Sequence, residues 1–215
     1  MGISIVDGGG HARVRTSPPI YYRPMRESDV LALFRRSGAL LDGHFRLSSG
    51  LHSPGYLQCA LVLQHPRDAT AIGAAVGDLV RSLEATCVLS PALGGIVIGQ
   101  EVARALDVRA LFAERQDGTL MLRRGFTLGP DEKVLVVEDV VTTAGSTRET
   151  MTVAAGAGAQ VVGACAIVDR SGGAHGLEVP FAALLPMNLP LYPEAECPMC
   201  KQGVAIVKPG SRRAS

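Results

Sequence analysis

Two adjacent carboxylates, Glu138 and Asp139, follow the aliphatic run Val134-Leu135-Val136-Val137 and stand directly before a stretch of small and hydroxyl residues. Paired acids at a strand end have little structural purpose, so a chemical one is expected. Thr142, Thr143, Ala144, Gly145, Ser146 and Thr147 lack bulk. Backbone N–H groups there can turn toward an anion while the hydroxyls add further donors, and the anion implied is a phosphate. Arg148-Glu149-Thr150-Met151 and the alanine-rich segment after it favour a helix, whose positive dipole end would point at the same anion. Glu138 and Asp139 would repel that phosphate unless something cationic or hydroxylic lies between. A ribose diol, or a magnesium ion reached through water, meets the need. A Walker loop would require a lysine after its glycines and a dinucleotide fingerprint three spaced glycines; this segment has neither pattern.

The residues that must position this constellation alternate between helical and strand-like patterns. Ser28 caps an opening helix carrying Val30, Leu31 and Phe34, with Gly38 as its stop. The segment from Phe45 to Gln64 is apolar but broken at Ser48-Ser49-Gly50 and again at Ser53-Pro54-Gly55, which reads as strand, turn, strand. It forms a small hood over about 26–64. Pro66 opens a long helix to about Glu84, followed by a buried strand from Thr86 to Leu89, the loop Ser90 to Gly95 and a helix to Leu106. A strand through Phe112 leads into a hairpin-like flap turned at Asp117-Gly118. The Val134 strand, a helix and a strand from Val161 to Val168 complete a core over about 65–196. Such alternation implies an α/β fold, a mostly parallel sheet flanked by helices, in one domain over 26–210. Residues 1–25, with a glycine run and three prolines, read as a loose arm, and 211–215 as a tail.

Composition narrows the classes. The 215 residues are 47% hydrophobic and 19% charged, enough for a substantial core. A formal charge of +1 with both signs interspersed argues against nucleic acid as a partner. No segment approaches the roughly 18–20 apolar residues of a membrane span, and no basic-then-apolar leader is evident, so a cytoplasmic location is expected. Cys59, Cys87 and Cys165 lie in apolar runs and read as reduced core residues. Cys197-Pro198-Met199-Cys200 has the spacing of half a zinc site, but no second Cys/His pair lies near it along the chain. A structural metal is therefore not expected. His44, His52, His65 and His175 read as loop residues, with His52 close to the hood motif.

The paired acids before Thr142-Thr143-Ala144-Gly145-Ser146 closely resemble the 5-phosphoribosyl 1-diphosphate (PRPP) motif of type I phosphoribosyltransferases. The hood segment Gly43 to Gln58 is similar to the F-x-L-K-S-G-x-x-S-P-Y-F segment of orotate phosphoribosyltransferases, with Phe45, Leu47, Ser49, Gly50, Ser53 and Pro54 matching in spacing. The resemblance implies the type I phosphoribosyltransferase fold and transfer of a phosphoribosyl group from magnesium-bound PRPP to orotate. The magnesium would be carried by PRPP rather than by direct protein ligands. A homodimer with active sites near the subunit interface is also implied.

Residue by residue, the resemblance assigns Glu138, Asp139, Val140, Val141, Thr142, Thr143, Ala144, Gly145 and Ser146 to PRPP. Ala92, Leu93 and Gly94 match the pyrophosphate loop, which in the family often has a non-proline cis peptide, here between Ala92 and Leu93. Arg170, Thr142 and Tyr56 match the groups that hold orotate. Glu138, Asp139 and Arg115 are the catalytic candidates. Two departures stand out. Ser48 replaces the family's usual lysine, and the flap, which in many members carries lysines and a histidine, here offers Arg115, Arg123 and Arg124. Some bacterial members have such a reduced hairpin. A purine phosphoribosyltransferase and a non-catalytic PRPP-sensing regulator are the alternative readings.

Overall fold

The computed structural model describes residues 25–47 and 49–208. The expected arm lies outside these residues except for Met25, and so do Ser48 and the tail.

The valine and leucine runs form strands because both faces of the sheet are covered, so every residue in them finds an apolar neighbour. Six strands lie in the order β5-β4-β3-β6-β7-β8: β3 is Cys87–Pro91, β4 Arg109–Gln116, β5 Thr119–Leu122, β6 Lys133–Val141, β7 Gln160–Asp169 and β8 Phe181–Pro186. All neighbours are parallel except the β4–β5 hairpin. Its turn is Asp117-Gly118, with φ of 50° and 85°. Positive φ at both central residues is the hairpin geometry that suits the twist of the strands. Strand β8 was not among the sequence expectations; Phe181-Ala182-Ala183-Leu184-Leu185 is short, and its only cue is apolarity.

Alternation along β6 divides the core. Leu135 and Val137 pack with Ile167, Ile98 and Val102 beneath helices α3 (Pro66–Val80) and α4 (Gly94–Leu106), joined by Val30 and Phe34 of α1 (Glu27–Arg36). Val134 and Val136 face the other way, toward Leu89, Ala164 and Ala154 of α5 (Gly145–Gly156). Helix α4 leaves β3 on one face and α5 leaves β6 on the other. Since β3 and β6 are neighbours, their carboxyl ends border a topological switch point, where open α/β sheets bind ligands.

Several boundaries move. Helix α1 begins one residue before the expected cap: Arg26 is its N-cap and Asp29 accepts the Arg26 N–H at 3.1 Å. The long helix ends at Val80 and a 3₁₀ turn, Arg81–Leu83, finishes it. A one-turn helix α2, Ala60–Leu63, occupies the end of the hood segment.

The hood itself is a separate antiparallel pair, β1 (Leu40–Arg46) and β2 (His52–Leu57). Ser53-Pro54-Gly55 does not break the chain as expected. It lies inside β2, with Ser53 fully buried. His44 and His52 are likewise not loop residues: they sit in β1 and β2, 2% and 1% exposed. The expectation that nothing accompanies Cys197 and Cys200 is overturned with them, because all four side chains meet in one cluster. Spacing along the chain could not reveal this, since about 150 residues separate the two pairs and only tertiary packing joins them. Among the described residues no helix is long and apolar enough to cross a membrane.

Candidate active site

The site is built at the ends of β3 and β6. Strand β6 continues past Val137 to Val141, so the two carboxylates belong to the strand rather than to a loop after it. Val140 and Val141 turn their side chains into the core and offer only backbone to the site. The chain then turns through Thr142, Thr143 and Ala144, the last at φ 56°, and enters α5 at Gly145. Arg148 closes this loop: its guanidinium donates to the Thr143 carbonyl at 2.5 Å and to the His175 carbonyl at 2.7 Å. Arg148 escaped the sequence reading, although a cation one turn inside the helix after a phosphate loop was a usable signal.

Glu138 is 6% exposed, and its carboxylate accepts a hydrogen bond from Ser146 Oγ at 2.8 Å. Burial raises its pKa to about 8, with the neighbouring Asp139 charge adding to the rise and the Ser146 bond opposing it. Asp139 accepts the Val140 N–H at 2.8 Å, and burial raises its pKa as well. Thr147 Oγ1 is buried in the first turn of α5 with no partner among the described residues. Carboxylates, hydroxyls and the start of a helix therefore converge with the Thr147 hydroxyl left unpaired among the described residues, an arrangement that suits a polyol phosphate.

The loop after β3 approaches from the opposite side. Gly94 opens α4 so close to Asp139 that a Cβ there would stand 2.8 Å from a carboxylate oxygen. Any side chain would push the loop off the carboxylate. The peptide between Ala92 and Leu93 is cis, as the resemblance implied, and Leu93 is 84% exposed.

A cleft of about 440 Å³ lies beyond the cradle, lined by Thr142, Thr143, Arg148, Arg170, Leu189 and Leu191 among others. Arg170 follows β7 and its backbone N–H donates to the Val141 carbonyl at 2.7 Å, which ties it to the end of β6. Its guanidinium Nε is buried without a partner among the described residues, and desolvation lowers its pKa. An arginine stays charged even so, and a half-buried cation facing a cleft is best satisfied by a carboxylate held in paired hydrogen bonds.

Three expected residues stand apart from this convergence. Tyr56 is on β2, its ring 5.8 Å from that of Phe45, and does not line the cleft. The adjacent Gly55 nonetheless touches the cleft wall, since a Cβ there would come within 2.8 Å of Leu189. Arg115 pairs with Glu149 of α5 at 2.8 Å and donates to the Gly118 carbonyl. Arg124 pairs with Glu114 at 2.7 Å and lies 5.9 Å from the Phe112 ring centre.

The phosphoribosyl transferase domain model matches residues 61–175. An orotate phosphoribosyltransferase of Carboxydothermus hydrogenoformans is 51% identical over 187 residues, covering 86% of this chain and 98% of the relative. One from Chlorobaculum parvum is 52% identical over 188 residues, covering 87% and 97%. The chain belongs to the orotate phosphoribosyltransferase family, within the phosphoribosyltransferases. The fold agrees: a crystal structure of Mycobacterium tuberculosis orotate phosphoribosyltransferase with inorganic phosphate has a TM-score of 0.63 at 24% identity, covering 74% of this chain and 94% of that one. In this orotate phosphoribosyltransferase family member the site has two parts: the strand–turn–helix unit of β6 and α5, and the cleft lined by Arg170 and by Leu189 and Leu191 after β8.

Proposed function

We propose that the chain transfers the 5-phosphoribosyl group of PRPP to orotate, giving orotidine 5′-monophosphate and pyrophosphate in pyrimidine biosynthesis. The observation that carries the reading is Arg170: a partly buried cation, lacking a partner on its Nε, one cleft-width from a phosphate cradle. It asks for a base that bears a carboxylate, which orotate does and the purine bases do not.

Thr143 to Thr147 and the first turn of α5 grip the 5′-phosphate, and the otherwise unpartnered Thr147 hydroxyl gains an acceptor. Glu138 and Asp139 accept hydrogen bonds from the ribose hydroxyls. The amides of Ala92 to Gly94 face the leaving diphosphate, and Arg115 joins them by exchanging Glu149 for it. Arg170 and Thr142 fix orotate in the cleft, and Tyr56, packed on Phe45 outside the cleft lining, takes no direct part. Oxygen donors such as Asp139, set against the Gly94 loop, suit magnesium reached through water, so no protein ligand set is needed. Magnesium carried by PRPP would supply positive charge to the diphosphate.

As the bond from the anomeric carbon to pyrophosphate breaks, positive charge grows on the ribose ring, and the pyrimidine nitrogen attacks from the opposite face. The buried carboxylates lie in a low-dielectric setting where their negative charge favours that transition state. Positioning supplies much of the rest. The working form is a cytoplasmic homodimer, as the family resemblance implies.

The loss of orotate absorbance on mixing with PRPP and magnesium tests this. Wild-type protein is expected to consume orotate, and Asp139→Asn to do so about 10²–10³-fold more slowly. No consumption by wild type, or an undiminished rate in the variant, would sink the reading. A purine base that is consumed in place of orotate would redirect it.

A further inference from the structure

Four side chains that the transfer reaction does not use converge between the hood and the C-terminal segment. His44 comes from β1 and His52 from β2; Cys197 and Cys200 flank the start of the one-turn helix α6, Pro198–Lys201. Their potential ligand atoms all lie within 4.8 Å of one another, and three of the four side chains are buried. His44 Nε2 is 3.0 Å from His52 Nδ1, 3.5 Å from Cys197 Sγ and 3.7 Å from Cys200 Sγ, and Cys200 Sγ is 3.2 Å from His52 Nδ1.

These are four of the six edges of a tetrahedron, and their lengths are of the right size. With metal–nitrogen and metal–sulfur bonds of about 2.05 and 2.3 Å, tetrahedral zinc separates two nitrogens by about 3.3 Å and a nitrogen from a sulfur by about 3.6 Å. Each observed separation agrees to within about 0.4 Å, before any contraction onto an ion. The tautomer of His44 is also suited. Its Nδ1 lies 2.8 Å from the Val204 carbonyl, which requires the proton on Nδ1 and leaves the Nε2 lone pair aimed into the cluster. A backbone carbonyl holding the far nitrogen of a histidine is the usual outer support of a zinc ligand. His52 directs Nδ1 inward, which puts its proton on Nε2, a buried atom with no partner among the described residues. Two soft sulfurs and two imidazole nitrogens in a closed, tetrahedral arrangement select zinc over the hard cations that prefer oxygen.

We propose that His44, His52, Cys197 and Cys200 bind one Zn²⁺ as a structural site that rivets the C-terminal segment to the hood. Two thiols become thiolates on binding and release their protons to solvent. The backbone already runs alongside: His52 and Tyr192 exchange hydrogen bonds at 2.8 and 2.9 Å, the Arg46 N–H donates to Val207 O at 2.9 Å and the Val207 N–H to His44 O at 2.8 Å. These are isolated bridges rather than a sheet, between segments far apart in the chain. A metal crosslink adds a fastening to these few bridges. It also bears on the cleft, because Leu189 and Leu191 of its wall lie in the strap that the site anchors.

The full chain, purified without affinity metals or chelators, is expected to carry about one zinc per chain by elemental mass spectrometry. Cys200→Ser and His52→Asn should each lower zinc affinity by about 10- to 100-fold or more. Because those variants can fail to fold, wild-type protein stripped of metal and titrated with Co²⁺ alone provides an independent readout: a visible d–d spectrum of tetrahedral cobalt with thiolate charge-transfer bands. Stripping should lower the thermal midpoint and Zn²⁺ should restore it. Asp139→Asn, slow in the transferase assay, should keep its zinc, which separates this proposal from the assignment of the reaction. Wild-type protein without stoichiometric zinc and without the tetrahedral cobalt spectrum overturns the site. A Cys197–Cys200 disulfide in protein isolated under anaerobic conditions overturns it equally.

Discussion

The phosphate cradle and the hood with its strap solve the same problem, holding polar groups in place beside a cleft, by opposite means. In the cradle, residues 138–148 are contiguous, and strand, turn and helix together set the direction of every donor. Glu138 meets Ser146 at 2.8 Å and Arg148 meets Thr143 at 2.5 Å, with His175, 27 residues on, as the further partner of Arg148. In the hood, His44 and His52 are joined to residues about 150 positions away, through isolated bridges and one side-chain cluster. Local sequence separation makes the cradle cheap in loop entropy, while the hood must offset a long closure. The strand–turn–helix unit is therefore held largely by its own contacts, and the hood depends on a fastening to a distant segment.

That contrast can be broken or sharpened at four points. The largest effect is expected from Arg170→Ala, which removes the cation proposed to hold the orotate carboxylate in the cleft. The KM for orotate should rise by roughly 10- to 150-fold, the range for losing charge-assisted hydrogen bonds of about 1.5–3 kcal/mol, while the KM for PRPP changes little. Equal losses for both substrates would mean the two parts of the site are not separable.

Next, Gly94→Ala places a methyl 2.8 Å from the Asp139 carboxylate. Steady-state kinetics should show turnover with PRPP reduced about tenfold by a small misplacement, with the thermal midpoint nearly that of wild type. A stability loss without a kinetic one would make Gly94 a packing residue only.

The third point is pH. Glu138 has its folded-state pKa raised from 4.5 to about 8, so the native state binds more protons than the unfolded chain between those values. Its contribution to stability is present below about pH 4.5 and is lost as pH rises through about 8. Thermal melts across that window should show a decline in wild type that is flatter in Glu138→Gln. Because ribose hydroxyls favour the ionised carboxylate, PRPP binding at neutral pH should release protons, seen as a buffer-dependent heat in calorimetry. Parallel pH profiles for the two proteins would remove Glu138 as the source.

The smallest effect is expected at the flap. Arg115 and Glu149 form an exposed pair, worth about 0–1 kcal/mol, so Glu149→Gln should leave the melting temperature almost unchanged. If Arg115 serves the diphosphate, freeing it lowers the KM for PRPP a few-fold. An unchanged KM would return Arg115 to the surface.

The legibility of these regions follows the same divide. The aliphatic runs, the acids and the TTAGS turn were readable because strand period, small residues and helix propensity act over a few neighbours. Arg170 was singled out by resemblance and by its place at a strand end, and it lines the cleft. Tyr56 was recognised by similarity, yet its packing on Phe45 rather than in the cleft depends on how the hood lies. Strand β8 and the strap after it carry no strong local cue, so the wall made by Leu189 and Leu191 was invisible.

By itself the sequence determined the α/β alternation, the strand–turn–helix unit from Val134 into α5, and the cis Ala92–Leu93 peptide expected beside it, since each rests on short-range chemistry or on a motif contiguous in the chain. The tertiary structure alone decided that β3 and β6 are neighbours, that Gly94 touches Asp139, and that two histidines of the hood meet two cysteines near the other end. Those pairings depend on sheet order and on burial, which no window of residues contains.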